Sequence, residues 1–280
     1  AYIIGTGLAG LSAAFYLGED GQVKGEHIHL LEKLDLAGGS CDGRKDVRKG
    51  FYMRGGREMD NHFECMWDMF RDVPSIETPG VSVLDEYYWL NKHDPNYSFA
   101  GFEKCGQDAH TDKKFTLDKD SALALSKLFM TPEKDLEDKK ISEILPDSFW
   151  DTNFWLYWQT MFAFQRWSSA LEMKRYLCRY CHHIDGLPDF SALRFTKYNQ
   201  YESMILPLVK YLESHGVSVE YGMDVKNFVI KDENGKKTAT QIIYEKAGKP
   251  GTIDLIEDDL VFIQMDAVQD TSCYGDQNTA

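Results

Sequence analysis

Apolar and polar positions change their spacing several times along this chain, and each change predicts an element. The pair Ile3-Ile4 runs directly into Gly5-Thr6-Gly7-Leu8-Ala9-Gly10. Leu11-Ser12-Ala13-Ala14-Phe15 follows, rich in good helix formers, so the order strand, tight turn, helix is expected. A second apolar run, His27–Leu31, closes on Glu32 and reads as another strand. From Asp60 onward, Phe63, Met66, Trp67 and Phe70 recur at i, i+3, i+4 and i+7, the stripe of an amphipathic helix. Asp60 or Asn61 can cap that helix and Pro74 closes it. Val81–Leu90 reads as strand, and residues 116–146 as charged-and-apolar helices with a start at Thr131-Pro132-Glu133. A helix near 201–214 should kink at Pro207 and end at Gly216. Val217–Tyr221, Val225–Lys231, Thr238–Glu245 and Leu260–Ile263 then read as strands, with a tight turn at Asn234-Gly235.

The first loop carries chemistry. G-x-G-x-x-G placed between a strand and a helix is the turn of a dinucleotide-binding βαβ unit. Gly5 makes the turn, Gly7 lets the backbone approach a pyrophosphate, and Gly10 lets helix and strand pack closely. The helix start presents unpaired N–H groups and a positive dipole end to the phosphates. An acidic residue about 20 positions further on is where the adenosine ribose is held, which is the place of Glu32.

Composition narrows the partners. The chain has 280 residues, 43% of them hydrophobic, enough for a real core. Its net charge of −14 repels nucleic acid and anionic surfaces on average, so no nucleic-acid partner is expected. No apolar run is long enough to span a bilayer, and no secretory leader is visible. The cysteines are scattered, so free thiols and a cytoplasmic location are expected. Phe149, Trp150, Phe154, Trp155, Tyr157, Trp158, Phe162, Phe164 and Trp167 crowd into one segment. Such density is core first, although a bulky apolar ligand needs similar walls. Cys178-Arg179-Tyr180-Cys181-His182 matches a haem-attachment pattern, but it sits in helical sequence and is read as core cysteines one turn apart. His182-His183 is read as a helix-end pair. His62-Phe63-Glu64 lies in the wrong context for a zinc deaminase, since Leu177 stands where proline is required. No metal site is expected.

The run Arg54-Gly55-Gly56-Arg57-Glu58-Met59-Asp60-Asn61-His62-Phe63-Glu64-Cys65 is more specific than any of these. With Tyr88-Trp89-Leu90-Asn91-Lys92, Asp94–Ser98, Asp189–Leu193 and Lys197–Ser203, it resembles the oleate hydratases, also called the myosin-cross-reactive antigen family. The likeness runs from Ala1 to about Thr279. The resemblance implies an FAD-binding enzyme that adds water across the cis double bond of an unsaturated long-chain fatty acid, yielding a hydroxy fatty acid. It implies an α/β fold: a Rossmann-like FAD-binding domain from residues 1–75 and 200–280, with an inserted helical, aromatic-rich substrate-binding region at 76–199. Family members are considerably longer, so the C-terminal half is expected to be missing, and with it further flavin contacts and dimer surface. Transient membrane contact for substrate uptake and a homodimer of the longer protein belong to the same expectation.

The resemblance also assigns residues. Gly5, Gly7, Leu8, Ala9, Gly10, Glu32, Lys33, Gly38, Gly39, Ser40, Arg54, Gly55, Gly56, Arg57 and Val225 are the expected FAD contacts, with Val225 near the adenine. Glu58 matches the water-activating carboxylate, Tyr176 the proton donor and Gln200 a residue holding the fatty acid. Independently of any family, hydrating an isolated alkene needs a proton donor at one carbon and an oriented water at the other. A carboxylate near that carbon can take the water's proton and stabilise developing positive charge. Met265-Asp266-Ala267 departs from the family's Asn-Gly-Ser turn, which weakens the expected close approach to the flavin. Two alternatives stay open beside the hydratase. One is a redox-active flavoenzyme of the amine oxidase or desaturase type; the other is a non-catalytic flavin- or lipid-binding derivative. The first loop alone does not separate FAD from NAD.

Overall fold

Along the chain, β1 (Tyr2–Ile4), α1 (Leu8–Glu19) and β2 (His29–Glu32) come first, then the hairpin β3 (Gly43–Asp46) and β4 (Gly50–Met53). Helices α2 (Glu64–Asp72) and α3 (Val83–His93) follow, then the short strands β5 (Glu103–Lys104) and β6 (Gln107–Asp108). Next are α4 (Lys119–Met130), α5 (Asn153–Phe162), α6 (Ala170–Tyr180) and α7 (Leu206–Ser214). The strands β7 (Ser218–Tyr221), β8 (Met223–Glu233), β9 (Lys236–Lys246), β10 (Lys249–Asp254) and β11 (Val261–Ile263) finish the order. This computed structural model describes residues 1–53, 58–94, 103–104, 106–108, 114–188, 191, 193–264 and 278. The chain divides into two units, Ala1–His93 with Phe195–Ala280, and Asp94–Arg194.

In the first unit a parallel sheet runs β11-β1-β2-β7. Strand side chains alternate between faces, so each strand supplies two layers. Ile3 and Leu30 enter a core with Leu11, Ala14 and Phe15 of α1 and Leu208 and Leu212 of α7. Ile4 and Leu31 enter another, with Met223, Val225 and Ile242 from the antiparallel sheet β8-β9-β10. The first unit is mixed α/β, with the parallel sheet between these two cores, as the order of predicted elements implies.

Several local readings change. Val81–Leu90 is not a strand: residues 83–93 form α3. Ser82 Oγ accepts from the Asp85 amide at 3.0 Å while the Asp85 carboxylate accepts from the Ser82 amide at 3.0 Å. That reciprocal cap starts a helix, and Val83 and Tyr87, four apart, are buried by it, Tyr87 stacked on Trp67 at 3.9 Å. Capping and burial override the strand preference of Val, Tyr and Trp. Thr131-Pro132-Glu133 begins only one 3-10 turn, Glu133–Asp135. Pro207 has no N–H to give, and the kink expected there is a π-turn, Tyr201–Ile205, leading into α7 with the proline in its first turn. Asn234 and Gly235 both have positive φ, as the tight turn between β8 and β9 requires. Strand β10 lacks a sequence signal because Pro250 and Gly251 fall in it; it is an edge strand, where such residues are tolerated.

The second unit is built on aromatics. Phe149, Trp150, Phe154, Trp155, Trp158 and Phe164 are buried together with Leu128, Met173 and Leu177, so the dense segment is core, although Trp167 is 70% exposed. Cys178 and Cys181 are exposed rather than core. The buried stripe of α6 is Ala170, Met173 and Leu177; Cys178 lies off it, and Cys181 comes after the helix, opening the 3-10 turn Cys181–Gly186. Asp118 caps α4, accepting from the Asp120 and Ser121 amides at 3.0 and 2.9 Å. The Ser121 hydroxyl and these amides hold its carboxyl down at about 2, from an ordinary 3.8. A carboxyl lowered on folding stabilises fully above its unfolded value. The contribution therefore holds above about pH 4 and is lost as pH falls toward 2. Asp118→Ala is expected to lower the melting temperature at pH 7, and the difference from the parent should vanish near pH 2; thermal melts across that range check it.

Candidate functional site

The candidate site begins where β1 stops. Gly5 sits at φ +92°, which L side chains rarely adopt, and a Cβ there would lie 2.7 Å from the Gln264 carbonyl oxygen. A Cβ on Gly10 would run into the Gly5 carbonyl oxygen, so helix and strand meet only because position 10 is glycine. Gly7 is the N-cap of α1, with ordinary extended backbone angles. No side chain caps this helix start and no acidic residue occupies its first turn. Leu8 and Ala9 open the helix, with Ala9 exposed. The amides of a helix start left uncapped in this way are donors for an anion.

A second glycine loop closes on the first. Gly38 and Gly39 have φ of +120° and +55°, and Gly38 donates from its amide to the Thr6 carbonyl at 2.9 Å. Gly7 and Gly38 form an isolated parallel bridge, and a Cβ on Gly39 would stand 3.1 Å from the Gly7 Cα. Ser40 lies half-buried in the 3-10 turn that follows, Gly39–Cys41. At Gly7 itself an added Cβ would find nothing nearer than the Gly39 Cα at 4.0 Å. The space over Gly7 is therefore open, bounded by two backbone loops and the α1 start. Its shape and its donors suit a pyrophosphate.

Glu32, at the end of β2, is 8% exposed. Its Oε2 accepts from the Thr6 amide at 2.9 Å and from the Thr6 hydroxyl at 2.5 Å, and its Oε1 accepts from the Leu34 amide at 2.8 Å. The next strand places Tyr221 opposite Glu32. Burial, reinforced by Glu213, Tyr201 and Glu32, pushes the Tyr221 phenol up to about 12. Lys33 is exposed and pairs with Asp224 at 3.4 Å. A hydrogen bond from Lys226, with Lys33 adding to it, holds the Asp224 carboxyl below its usual range. Val225 turns its side chain into the core between the sheets, so what it offers a ligand is backbone, next to a bulge in β8.

Arg54, Gly55, Gly56 and Arg57 lie outside the described residues, as do Met265, Asp266 and Ala267. Glu58 is exposed, one residue before Met59, which is 7% exposed and anchored in the first unit's main core. Gln200 is buried just ahead of the π-turn. Tyr176 belongs to the second unit, half-buried and edge-on to Phe162 and Phe164 at 5.4 and 5.2 Å. Sequence reasoning overlooked Thr6, the fully buried residue between the first two glycines; its hydroxyl at a variable motif position was the only available signal. No helix among the described residues is long and apolar enough to cross a membrane.

The MCRA family model matches residues 1–280. An oleate hydratase from Streptococcus pyogenes is 51% identical over 276 residues, covering 98% of this chain and 47% of that protein. A linoleate hydratase from Lactiplantibacillus plantarum is 28% identical over 302 residues, covering 100% of this chain and 53% of that protein. The chain thus spans about half the length of the curated relatives it matches. Among solved structures, a CLA-producing fatty acid isomerase from P. acnes aligns at a TM-score of 0.47 and 16% identity, over 94% of this chain and 58% of that one.

Proposed function

The chain belongs to the MCRA family, and on that footing we propose that it is the FAD-binding portion of a fatty acid hydratase. The reaction is addition of water across a cis double bond of an unsaturated long-chain fatty acid such as oleate, giving a hydroxy fatty acid without net redox change. The observation that carries the flavin part is the open space over Gly7, where two glycine loops meet an uncapped helix start beside a buried acid. The hydratase part is supported by relatives named as oleate and linoleate hydratases.

The cradle's residues have defined tasks in this reading. The amides at Leu8, Ala9 and Gly10 face the pyrophosphate, Gly38, Gly39 and Ser40 line the opposite side, and Glu32 takes the adenosine ribose. Lys33 and the Val225 backbone would border the adenosine end, and the family resemblance assigns Arg54, Gly55, Gly56 and Arg57 to the flavin. When bound, FAD contributes shape and electrostatics to a reaction that consumes no electrons. Glu58 orients a water and accepts its proton as oxygen bonds to one alkene carbon. Tyr176 gives its phenolic proton to the other carbon, so the π bond is replaced by one C–O and one C–H bond. The proton then held by Glu58 restores the phenol through solvent. Gln200 helps to hold the acyl chain.

The test is an anaerobic titration of the flavin-loaded protein with oleate, followed by mass analysis of the product. Unbleached flavin and a product heavier by one water are expected. Stoichiometric bleaching with loss of two hydrogens would establish the redox alternative instead.

A further inference from the structure

We infer that Thr6 is a positioning residue for the dinucleotide, holding the Glu32 carboxylate in the one orientation that receives the adenosine ribose. This rests on the FAD reading above and adds to it a residue outside the glycine pattern. Thr6 is fully buried, and it gives two donors, amide and hydroxyl, to the same oxygen of Glu32. The Leu34 amide holds the other oxygen. Through its carbonyl, Thr6 also accepts from the Gly38 amide. One residue therefore ties the first glycine loop to the second and to the acid at the end of β2.

The physical argument concerns when the cost of ordering falls. A glutamate side chain has three rotatable bonds, and fixing them costs free energy wherever it happens. If Glu32 were loose in the free protein, the ligand's binding energy would have to supply that ordering. The Thr6 hydroxyl supplies it beforehand. It also offsets the cost of burying a carboxylate, which is unfavourable without hydrogen-bond donors. Both donors from Thr6 fill the acceptor sites of Oε2, and Leu34 takes one site of Oε1, so Oε1 keeps acceptor capacity for a ribose hydroxyl. The backbone amide would be present with any residue at position 6. The hydroxyl is the part that depends on the side chain. Valine has nearly the same shape without the donor, serine has the donor without the methyl group, and alanine has neither.

The experiment measures binding of FAD, ADP and 2′,3′-dideoxy-ADP to the parent chain and to Thr6→Val, Thr6→Ala and Thr6→Ser, with melting temperatures of each ligand-free protein. Losing a hydrogen bond to a charged group is expected to weaken FAD and ADP about tenfold in Thr6→Val and Thr6→Ala, while Thr6→Ser stays within about twofold of the parent. Dideoxy-ADP, which has no diol to grip, should bind parent and variants alike. In a Glu32→Ala background the Thr6 substitutions should cost nothing further, because the acceptor they act through is gone. Equal ADP affinity in parent and Thr6→Val overturns the inference, and so does a loss that is the same for dideoxy-ADP, which would make Thr6 a support of the fold alone. If valine prevents folding, alanine carries the same comparison. A parent chain that binds neither FAD nor ADP overturns the flavin reading, and this inference with it.

Discussion

Gly7→Val is expected to abolish FAD uptake while the ligand-free chain keeps its fold. Gly7 has φ −63° and ψ 171°, angles that valine adopts readily. The nearest atom to an added Cβ is the Gly39 Cα at 4.0 Å, an ordinary contact, so the free protein has room for the Cβ. The space that the valine fills is the space a pyrophosphate needs above the α1 start. Loss of several charge-assisted hydrogen bonds to backbone amides corresponds to an affinity drop of roughly a hundredfold or more. Gly10→Ala makes the contrasting control. Its Cβ collides with the Gly5 carbonyl oxygen, so it should lower the melting temperature with or without flavin. Flavin fluorescence titration and thermal melts of the two variants separate the outcomes. A Gly7→Val chain that binds FAD like its parent would remove the pyrophosphate from this loop.

In a competent hydratase carrying this segment, Glu58→Gln and Tyr176→Phe should each cut turnover on the order of a hundredfold or more, the usual scale for a positioned acid or base. Glutamine keeps the shape of Glu58 and loses the proton acceptor; phenylalanine keeps the ring of Tyr176 and loses the donor. The surroundings favour clean readings. Glu58 is exposed, so its replacement disturbs no core. The Tyr176 ring packs edge-on against Phe162 and Phe164, contacts that phenylalanine preserves. Fatty-acid affinity should change little, because neither group is asked to hold the acyl chain, so the loss belongs in kcat rather than KM. Steady-state rates with oleate, beside a direct binding measurement, check both. Near-parent turnover in either variant would return that residue to a structural role.

How far the sequence carries can be judged residue by residue. Ile3-Ile4, the glycine spacing and the helix formers after it are local signals, satisfied within about a dozen residues, and the strand, turn and α1 follow from them. The same holds for Asn234-Gly235, whose positive φ angles are a property of those two residues. Local reading failed at Val81–Leu90, where strand-forming side chains were outvoted by a cap at Ser82 and by Trp67, stacked on Tyr87 from twenty residues away. It failed again at Cys178, because a helical spacing says which residues share a face and not which face is buried, and at Cys181, because α6 ends one residue before it.

By itself, then, the sequence determined the parallel-sheet frame, the glycine turn and the acid at the end of β2, all of which follow from periodicity and backbone sterics over short distances. The specific run from Arg54 to Cys65 determined the family, in which the whole chain finds its match. Tertiary structure alone decided that Gly38 would dock on Thr6, that Thr6 would clasp Glu32, and that Val225 would offer backbone rather than side chain. Each of these joins residues far apart along the chain through hydrogen bonds or burial. Such pairings exist only once the parallel sheet has joined β1 to β2 and the antiparallel sheet has packed β8 against them, and no spacing along the chain encodes them.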